Sequence, residues 1–484
     1  MTSHSELLRG SRILVLNWRD IRHPLAGGAE QYMHEIGTRW VQAGAQVTWL
    51  TSAVPGQPEH ERLDGIHFLR AGNALSVFSH TAARGARARG HFDAVVDCQN
   101  GTPFFAPLFA GRRTPVVQLV HHVHQDQFST HFSPPLAALG RWLEGPAARR
   151  VYRDRPIVAV SPSTRHELRA RLGFRGPIHV VPNGTVVPPP ERNRRAAEPT
   201  ITLVSRLVPH KRIDLLLGHL RTVAEAIPAL RVDIVGDGPD GARLRSLVDE
   251  LGMQATVAFH GRASDDVRDE LLSRAWLTTS TSQAEGWGSS VLEAAARGVP
   301  CLALRVPGVR DSVLDGETGW LVDEPGRLGA ALTGALRRLA DPVRAGQIAE
   351  TCRAWAGCFS WDRSADLLAG VLRAEMARMT AVADGLSAER REARSDIAVM
   401  AVVPRRATGL SAQLRATDEV VQSEDRTAVV LNGCDETAGV SVMTRLGMRP
   451  LSMQLMDNRL LLAGPTTPQE SSDPALGQLG LTSA

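Results

Sequence analysis

Four charged side chains stand out by type and spacing. Arg206 closes the apolar run ITLVSR, and Lys211 follows five residues later in LVPHKRIDLLL. Glu285 and Glu293 stand in AEGWGSSVLEAAARG with seven residues between them. Arginine offers a planar fork of donors and lysine a compact mobile charge, a combination suited to gripping a diphosphate. A loop carboxylate and a helical one suit a sugar and a nearby pair of hydroxyls. Lysine plus arginine total 55, yet Lys211 is the one lysine in 484 residues. That points to a position where an ammonium is needed rather than a guanidinium. From this stretch alone, an ordinary βα unit with two solvated glutamates reads equally well.

The elements that must position these groups are legible in the hydrophobic pattern. Trp276–Thr281 reads as a strand, a loop carries Glu285, Gly286, Trp287 and Gly288, and SSVLEAAARG reads as a helix stopping at Gly298 before Pro300. Ser289 and Ser290 then sit at a helix N-terminus, whose unpaired amides and positive dipole end favour phosphate. Near the start, RILVLNW is a buried-strand candidate. The loop HPLAGGAEQ follows, then a helix over Glu30–Ala43 and a strand over Gln46–Thr51. Gly27 and Gly28 fall at this turn, where bare backbone approaches a ligand closely. Further strands are read at Asp93–Cys98, Pro115–Val120 and Pro156–Val160, with Ser161 and Pro162 starting a helix. A second β/α series has strands at Ile201–Ser205, Arg231–Val235, Thr256–Phe259, Trp276–Thr281 and Pro300–Leu304, and a long helix over Trp361–Met379.

The fold class expected is α/β, with two Rossmann-like doubly wound domains facing a cleft plus a small C-terminal α/β domain. The domains are 1–185, 186–379, a linker at 380–395, an accessory domain at 396–465 and a disordered tail at 466–484. The 43% hydrophobic and 22% charged content is that of a globular protein, and no apolar run is long enough to span a bilayer. No secretory leader is visible. Five scattered cysteines without CxxC spacing suggest a reduced, cytoplasmic chain. A net charge of +4 is too small to argue for nucleic acid.

The ordered set GGAEQ, SRLVPHKRIDLLL, IVGDGPDGARLRSLV, AEGWGSSVLEAAARGVPCLA and DGETGWLV resembles the retaining GT4 glycosyltransferases of GT-B architecture, over about residues 10–378. The resemblance implies that Glu293 binds the ribose and that Glu285 faces the donor sugar. The backbone of Gly286, Trp287, Gly288, Ser289 and Ser290 would then lie along sugar and phosphate. Arg206 and Lys211 would hold the diphosphate and stabilise its growing charge. Gly27 and Gly28 would meet it from the other domain, and the base would lie near Gly236, Gly238 and Arg262. In VHHVHQD, His121 or His122 would contact the donor sugar, His122 in a catalytic role, with His124 further off. A structural zinc at this cluster is the weaker reading, and the family needs neither metal nor cofactor. Trp287 stands where Phe is frequent, and Ala284 where a small polar residue is usual. Transfer would be front-face, the leaving oxygen taking the acceptor proton; the covalent alternative would need a carboxylate beneath the anomeric carbon, and no residue of the first domain has to be one.

The expected partners are a nucleotide-diphosphate sugar and a hydroxyl acceptor, either lipid-linked or soluble. Ser133–Arg155 mixes Leu136, Leu139, Trp142 and Leu143 with Arg141, Arg149 and Arg150. That pattern fits either a helix packed on its own domain, which is favoured, or peripheral contact with an anionic membrane at the inner face of the plasma membrane. Leu414–Gly447 faintly resembles a degenerate GGDEF domain, with SED where the signature glycines would stand, and suggests a regulatory or oligomerisation module. Against the transferase stand two alternatives, a GT-B disaccharide synthase and a nucleotide-sugar-binding regulator.

Overall fold

A computed structural model of the chain describes residues 3–111, 113–176, 178–189, 195–383, 397–403, 414, 419–422, 426–432, 434 and 436–457. They form two compact units, Met1–Met376 and Ala377–Ala484.

The first half of the larger unit is one eight-stranded sheet. Its strands are β1 (Arg12–Leu16), β2 (Gln46–Thr51), β3 (His60–Leu63), β4 (Ile66–Arg70), β5 (Ala94–Gln99), β6 (Val116–Val120), β7 (Ile157–Ala159) and β8 (Ile178–Val180). The order is β3-β4-β2-β1-β5-β6-β7-β8, parallel except for the β3–β4 pair. Helices cover both faces, which is why β1, β5 and β6 are buried along nearly their whole length. The β3–β4 hairpin is absent from the sequence reading, although Asp64 and Gly65, both at positive φ, give it the turn chemistry it needs. The order reverses at β1 and β5, the place where a doubly wound sheet opens a crevice. Asn17 and Asn100 follow these two strands, and Asn100 Nδ2 donates to Asn17 Oδ1 at 2.9 Å.

The second half holds β9 (Thr200–Val204), β10 (Arg231–Val235), β11 (Val257–Gly261), β12 (Thr278–Ser280), β13 (Cys301–Leu304) and β14 (Gly319–Val322). Two parallel three-stranded pieces, β11-β10-β9 and β12-β13-β14, join through a bridge between Ile201 and Leu277. Reversal falls between β9 and β12, so the loops carrying Lys211 and Glu285 leave from neighbouring strand ends. The last helix, Trp361–Ala383, returns to the first half, where Trp40 Nε1 donates to Ala365 O at 3.0 Å and Ser364 Oγ to Pro182 O at 2.7 Å. Trp287, Leu292, Cys352 and Ala356 from the second half share one apolar cluster with Ile13, Val15, Tyr32 and Ile36 from the first.

The smaller unit is an antiparallel sheet of β15 (Ile397–Val403), β16 (Glu419–Gln422), β17 (Thr427–Asn432) and β18 (Ser452–Asp457), in the order β16-β17-β15-β18. A helix over Glu436–Arg445 sets Met443 against Ala401 and Val403. Strand β16 is not in the sequence reading, because a charged segment conceals it. The sequence pattern also suggests a helix near 410–414, which falls almost wholly outside the described residues, and the SED triplet, most of the linker and the 466–484 tail lie outside them too.

The segment Ser133–Arg155 is not one amphipathic helix. It breaks into Pro134–Trp142, a π-helical turn over Leu143–Ala147 containing Pro146, and Ala148–Val151. Ala137, Gly140, Glu144 and Ala148 face inward, whereas Leu136, Leu139 and Trp142 are each at least half exposed. The segment thus packs on its own domain, as the favoured reading has it, but through small residues and Glu144, leaving Leu136, Leu139 and Trp142 outward.

The loop between β1 and its helix is pinned by a buried ion pair. Asp20 and Arg70 are fully buried, with Arg70 Nε 2.6 Å from Asp20 Oδ2, and Arg70 Nη2 reaches Glu61 Oε2 at 2.8 Å. Removing one member strands a charge in the interior. Asp20→Ala is therefore expected to cost roughly 3–5 kcal/mol in urea unfolding. A loss under about 1 kcal/mol, the range of surface pairs, would refute that role.

Candidate active site

The loop after β12 turns at Gly288, which is left-handed at φ 91°, and opens a helix over Ser289–Ala296 whose N-terminus no side chain caps. Thr281 Oγ1 donates to Lys211 O at 3.0 Å and Gln283 N to His210 O at 2.9 Å, stitching this loop to the one after β9. Their side chains meet as well. Lys211 Nζ forms an ion pair with Glu285 Oε1, which also accepts from Ser282 Oγ at 2.6 Å. Burial alone would raise the Glu285 pKa, but the Lys211 charge and hydrogen bonds from Lys211 and Ser282 hold it below the usual range. Glu293 is half-buried, and there burial prevails over Arg268 and Arg297 and raises its pKa. The exposed Arg206 side chain has no hydrogen bond or ion pair among the described residues.

The first half supplies the opposite wall. A Cβ on Gly286 would lie 2.3 Å from His121 O, so the backbones of the two halves touch there and only glycine fits. A Cβ on Gly28 would lie 3.3 Å from Ser289 Oγ, which accepts from Asn183 Nδ2 at 2.9 Å. His121 is 8% exposed and packs edge-on against Tyr32. His122 feels the charges of Glu285, His210 and Lys211, so it faces the second half. Burial, reinforced by His124, lowers the pKa of both His121 and His122 to about 3, keeping both neutral near pH 7. Gln127 Nε2 lies 3.1 Å from His122 Nε2. With that nitrogen accepting, Nδ1 carries the proton, and it has no partner among the described residues. His121 Nε2 and Asn183 Oδ1 are likewise buried without one.

Most residues expected at the site converge: Gly28, His121, His122, Lys211, Glu285, Gly286, Gly288 and Ser289, with Ser290 and Glu293 on the same helix. Gly27 holds the N-cap of the Gly28–Gln42 helix and donates its N–H to Glu30 Oε2 at 2.7 Å. Trp287 is buried in the shared core, so its ring packs rather than binds. Gly236 and Gly238 line the Arg206 loop, where added Cβ atoms would come within 1.9 Å of Ser205 O and 2.3 Å of Leu207 O. Arg262 is exposed just past β11, with no hydrogen bond or ion pair to the others among the described residues. Asp126, the carboxylate nearest the histidines in sequence, pairs with Arg171 instead. Among the described residues no group of three or more His, Cys, Asp or Glu is placed to hold a metal ion.

Sequence reasoning missed the network behind this wall. Arg19 Nε donates to Glu30 Oε1 at 3.0 Å, as does Asn100 Nδ2 at 3.1 Å, and Arg19 lies over the Trp18 ring. Burial lowers the Arg19 pKa, against the charge of Glu30 and with that of Arg206. It also missed Glu144, fully buried, which accepts from His124 N and Gln125 Nε2, both at 2.7 Å, and so braces the histidine segment. The signals were present: an arginine just past a strand end, and the Asn-Gly pairs at 100 and 183.

Residues 26–188 match the model of Glycosyltransferase Family 4, and residues 189–351 that of Glycosyl transferases group 1. The chain is 31% identical over 255 residues to a GDP-mannose-dependent alpha-(1-6)-phosphatidylinositol monomannoside mannosyltransferase of Mycolicibacterium smegmatis, covering 48% of this chain and 66% of that one. It is 31% identical over 300 residues to a D-inositol 3-phosphate glycosyltransferase of Acidothermus cellulolyticus, covering 56% and 65%. It thus spans just under two thirds of these relatives. The sucrose-phosphate synthase of Thermosynechococcus elongatus superimposes with a TM-score of 0.64 at 21% identity, over 76% of this chain and 99% of that one. An Anabaena HepE structure with UDP and glucose does so with 0.58 at 19%, over 75% and 100%. With both halves matched in order and the two-domain architecture shared, the chain belongs to the family 4 glycosyltransferases of the GT-B fold.

Proposed function

We propose that the chain is a retaining hexosyltransferase that moves a sugar from a nucleotide diphosphate to an acceptor hydroxyl. One observation carries the reading. Where the two halves meet, His121 Nε2, His122 Nδ1 and Asn183 Oδ1 are buried without partners among the described residues, beside a helix N-terminus that no side chain caps. Such groups call for a polar ligand. Arg206 and Lys211 take the diphosphate, joined by Arg19 from the opposite wall. Glu293 accepts from the ribose hydroxyls, and Glu285 and His122 hold sugar hydroxyls. The acceptor oxygen attacks the anomeric carbon on the face the diphosphate leaves. The bond from that carbon to the β-phosphate oxygen breaks, and the acceptor proton passes to the leaving phosphate, giving a glycoside and a nucleoside diphosphate. The positive groups are worth most as that charge grows.

Residues 1–185 form the acceptor half, 186–379 the donor half, and 396–465 an accessory module for regulation or self-association. The relatives' names favour GDP-mannose as donor and an inositol-bearing acceptor. A glycolipid acceptor also fits the exposed Phe132, Leu136, Leu139 and Trp142 beside Arg149 and Arg150. No described helix is long and apolar enough to cross a membrane. A disaccharide synthase would use a soluble sugar in the same place. A regulator that only binds nucleotide sugar would show no turnover.

The deciding measurement is thermal stabilisation by UDP, GDP and ADP. A bound diphosphate at about 100 times its Kd should add about 2.7 kcal/mol. That gain should vanish in Lys211→Ala, and in Lys211→Ala/Glu285→Gln, which leaves no unpaired carboxylate. No gain with any diphosphate in the wild type would sink the donor site.

Glu293 generates a pH prediction. Burial keeps its proton to higher pH in the empty site, whereas accepting from ribose needs the carboxylate. Diphosphate affinity should rise with pH through the Glu293 pKa, which burial places above the ordinary glutamate value, and Glu293→Gln should flatten that rise. A pH-independent wild-type Kd would rule this out.

Anionic vesicles should bind the wild type and lose Arg149→Ala/Arg150→Ala/Trp142→Ala. Binding that survives the triple substitution would place membrane contact elsewhere.

A further inference from the structure

The helix Pro162–Ala170 in the first half starts in an unusual way. Ser161 Oγ caps it by accepting from Thr164 N at 3.0 Å, as an N-cap serine should. The amide before it, Ser163 N, donates instead to Asp311 Oδ2 at 3.0 Å, a carboxylate from the second half. Arg310 Nε donates to Ser163 Oγ at 2.9 Å. A helix of one half is thus capped by the other, with the carboxylate at the positive end of the helix dipole. Burial raises the Asp311 pKa, against hydrogen bonds from Ser163 and Ser161 and the charge of Arg310.

Both sides of this contact lead directly to the site. On the first half, Thr164 Oγ1 donates to His121 O at 3.3 Å, and His121 O is the atom that only glycine at 286 can approach. On the second half, Asp311 belongs to a short helix over Val309–Ser312 that packs on both ends of the donor loop. Glu285 N donates to Pro307 O at 3.1 Å, and a Cβ on Gly308 would fall 2.2 Å from Glu285 O. Ser312 Oγ lies 3.1 Å from where a Cβ on Gly288 would stand. Any shift of Asp311 relative to Ser163 therefore shifts Glu285 relative to His121 and His122.

We infer that Asp311, assisted by Arg310, is a positioning residue that clasps the two halves together and sets the spacing between the His121–His122 wall and Glu285. This rests on the glycosyltransferase reading of the site. The clasp contacts neither the diphosphate grip of Arg206 and Lys211 nor the ribose side at Glu293. Its loss should leave nucleotide affinity in place and lower turnover.

The test uses the full chain with Asp311→Ala, Asp311→Asn and Ser163→Pro, the last removing the amide donor at a helix position where proline is tolerated. GDP and UDP binding is read by calorimetry, turnover with GDP-mannose and UDP-glucose by release of diphosphate, and closure by small-angle X-ray scattering. For Asp311→Ala we expect kcat to fall about 100-fold, the scale of a 1 Å misplacement. The diphosphate Kd should stay within threefold, and the radius of gyration should increase. Asp311→Asn, which still accepts from the amide, should lose less, and Asp311→Ala/Ser163→Pro should be no worse than either alone. An unchanged kcat and scattering profile would overturn the inference. So would a parallel loss of diphosphate affinity, kcat and Tm, the mark of a merely structural contact. If the wild type binds no diphosphate and turns nothing over, the transferase reading fails, and scattering alone still decides the clasp.

Discussion

Two positive helix ends meet inside the larger unit, and much of the molecule is arranged around that meeting. The Gly28–Gln42 and Ser289–Ala296 helices both begin at the junction, close enough that a Cβ on Gly28 would lie 3.3 Å from Ser289 Oγ. Each end acts as roughly half a positive charge. Arg19 and Lys211 add full charges beside them, and Arg206 is near enough to perturb Arg19. Such a gathering opposes its own assembly. It is held by apolar burial, because Trp287 and Leu292 behind the donor loop lie in the same core as Val15, Tyr32 and Ile36, and the returning Trp361–Ala383 helix seals that core.

Two carboxylates offset the excess, and their bonding separates their roles. Glu30 is fully buried and accepts from Arg19, Asn100 and the Gly27 amide, so it belongs to the frame. Glu285 is partly exposed and its partners are side chains, Lys211 and Ser282. Two bonds to side chains yield to a ligand more readily than bonds to backbone and a buried guanidinium.

What the sequence disclosed follows from distance along the chain. Glu285, Glu293, Arg206 and Lys211 sit on strand-to-helix loops whose strand, turn and helix are contiguous, so local pattern placed them. Asp311, Asn183 and Glu144 do their work through partners 148, 106 and about 20 residues away, and pairings of the first two kinds exist only once two sheets face each other. Arg19 looked like a loop arginine because Glu30, which aims it, is brought round by the first helix turn. The long parallel strands were legible from their apolar runs, whereas β3 and β16 are charged edge strands with no such signal. The Ser133–Arg155 segment defeated helical periodicity because Pro146 and a π turn change the face presented along it.

The Lys211–Glu285 pair also bears on what the site accepts. Lys211 keeps Glu285 ionised despite its burial, so the empty site holds a full carboxylate and a full ammonium against each other. A ligand that parts them must supply an anion to the lysine and hydroxyl donors to the glutamate, since leaving either charge unpaired costs several kcal/mol, roughly 3–5 for a buried pair. A phosphate alone satisfies only the lysine, and a free sugar only the glutamate. A sugar joined to a phosphate satisfies both at once, and the bond that joins them then lies between the two groups. On the proposed reading, the pair that neutralises the empty site would thereby select for the molecule whose linkage is to be broken.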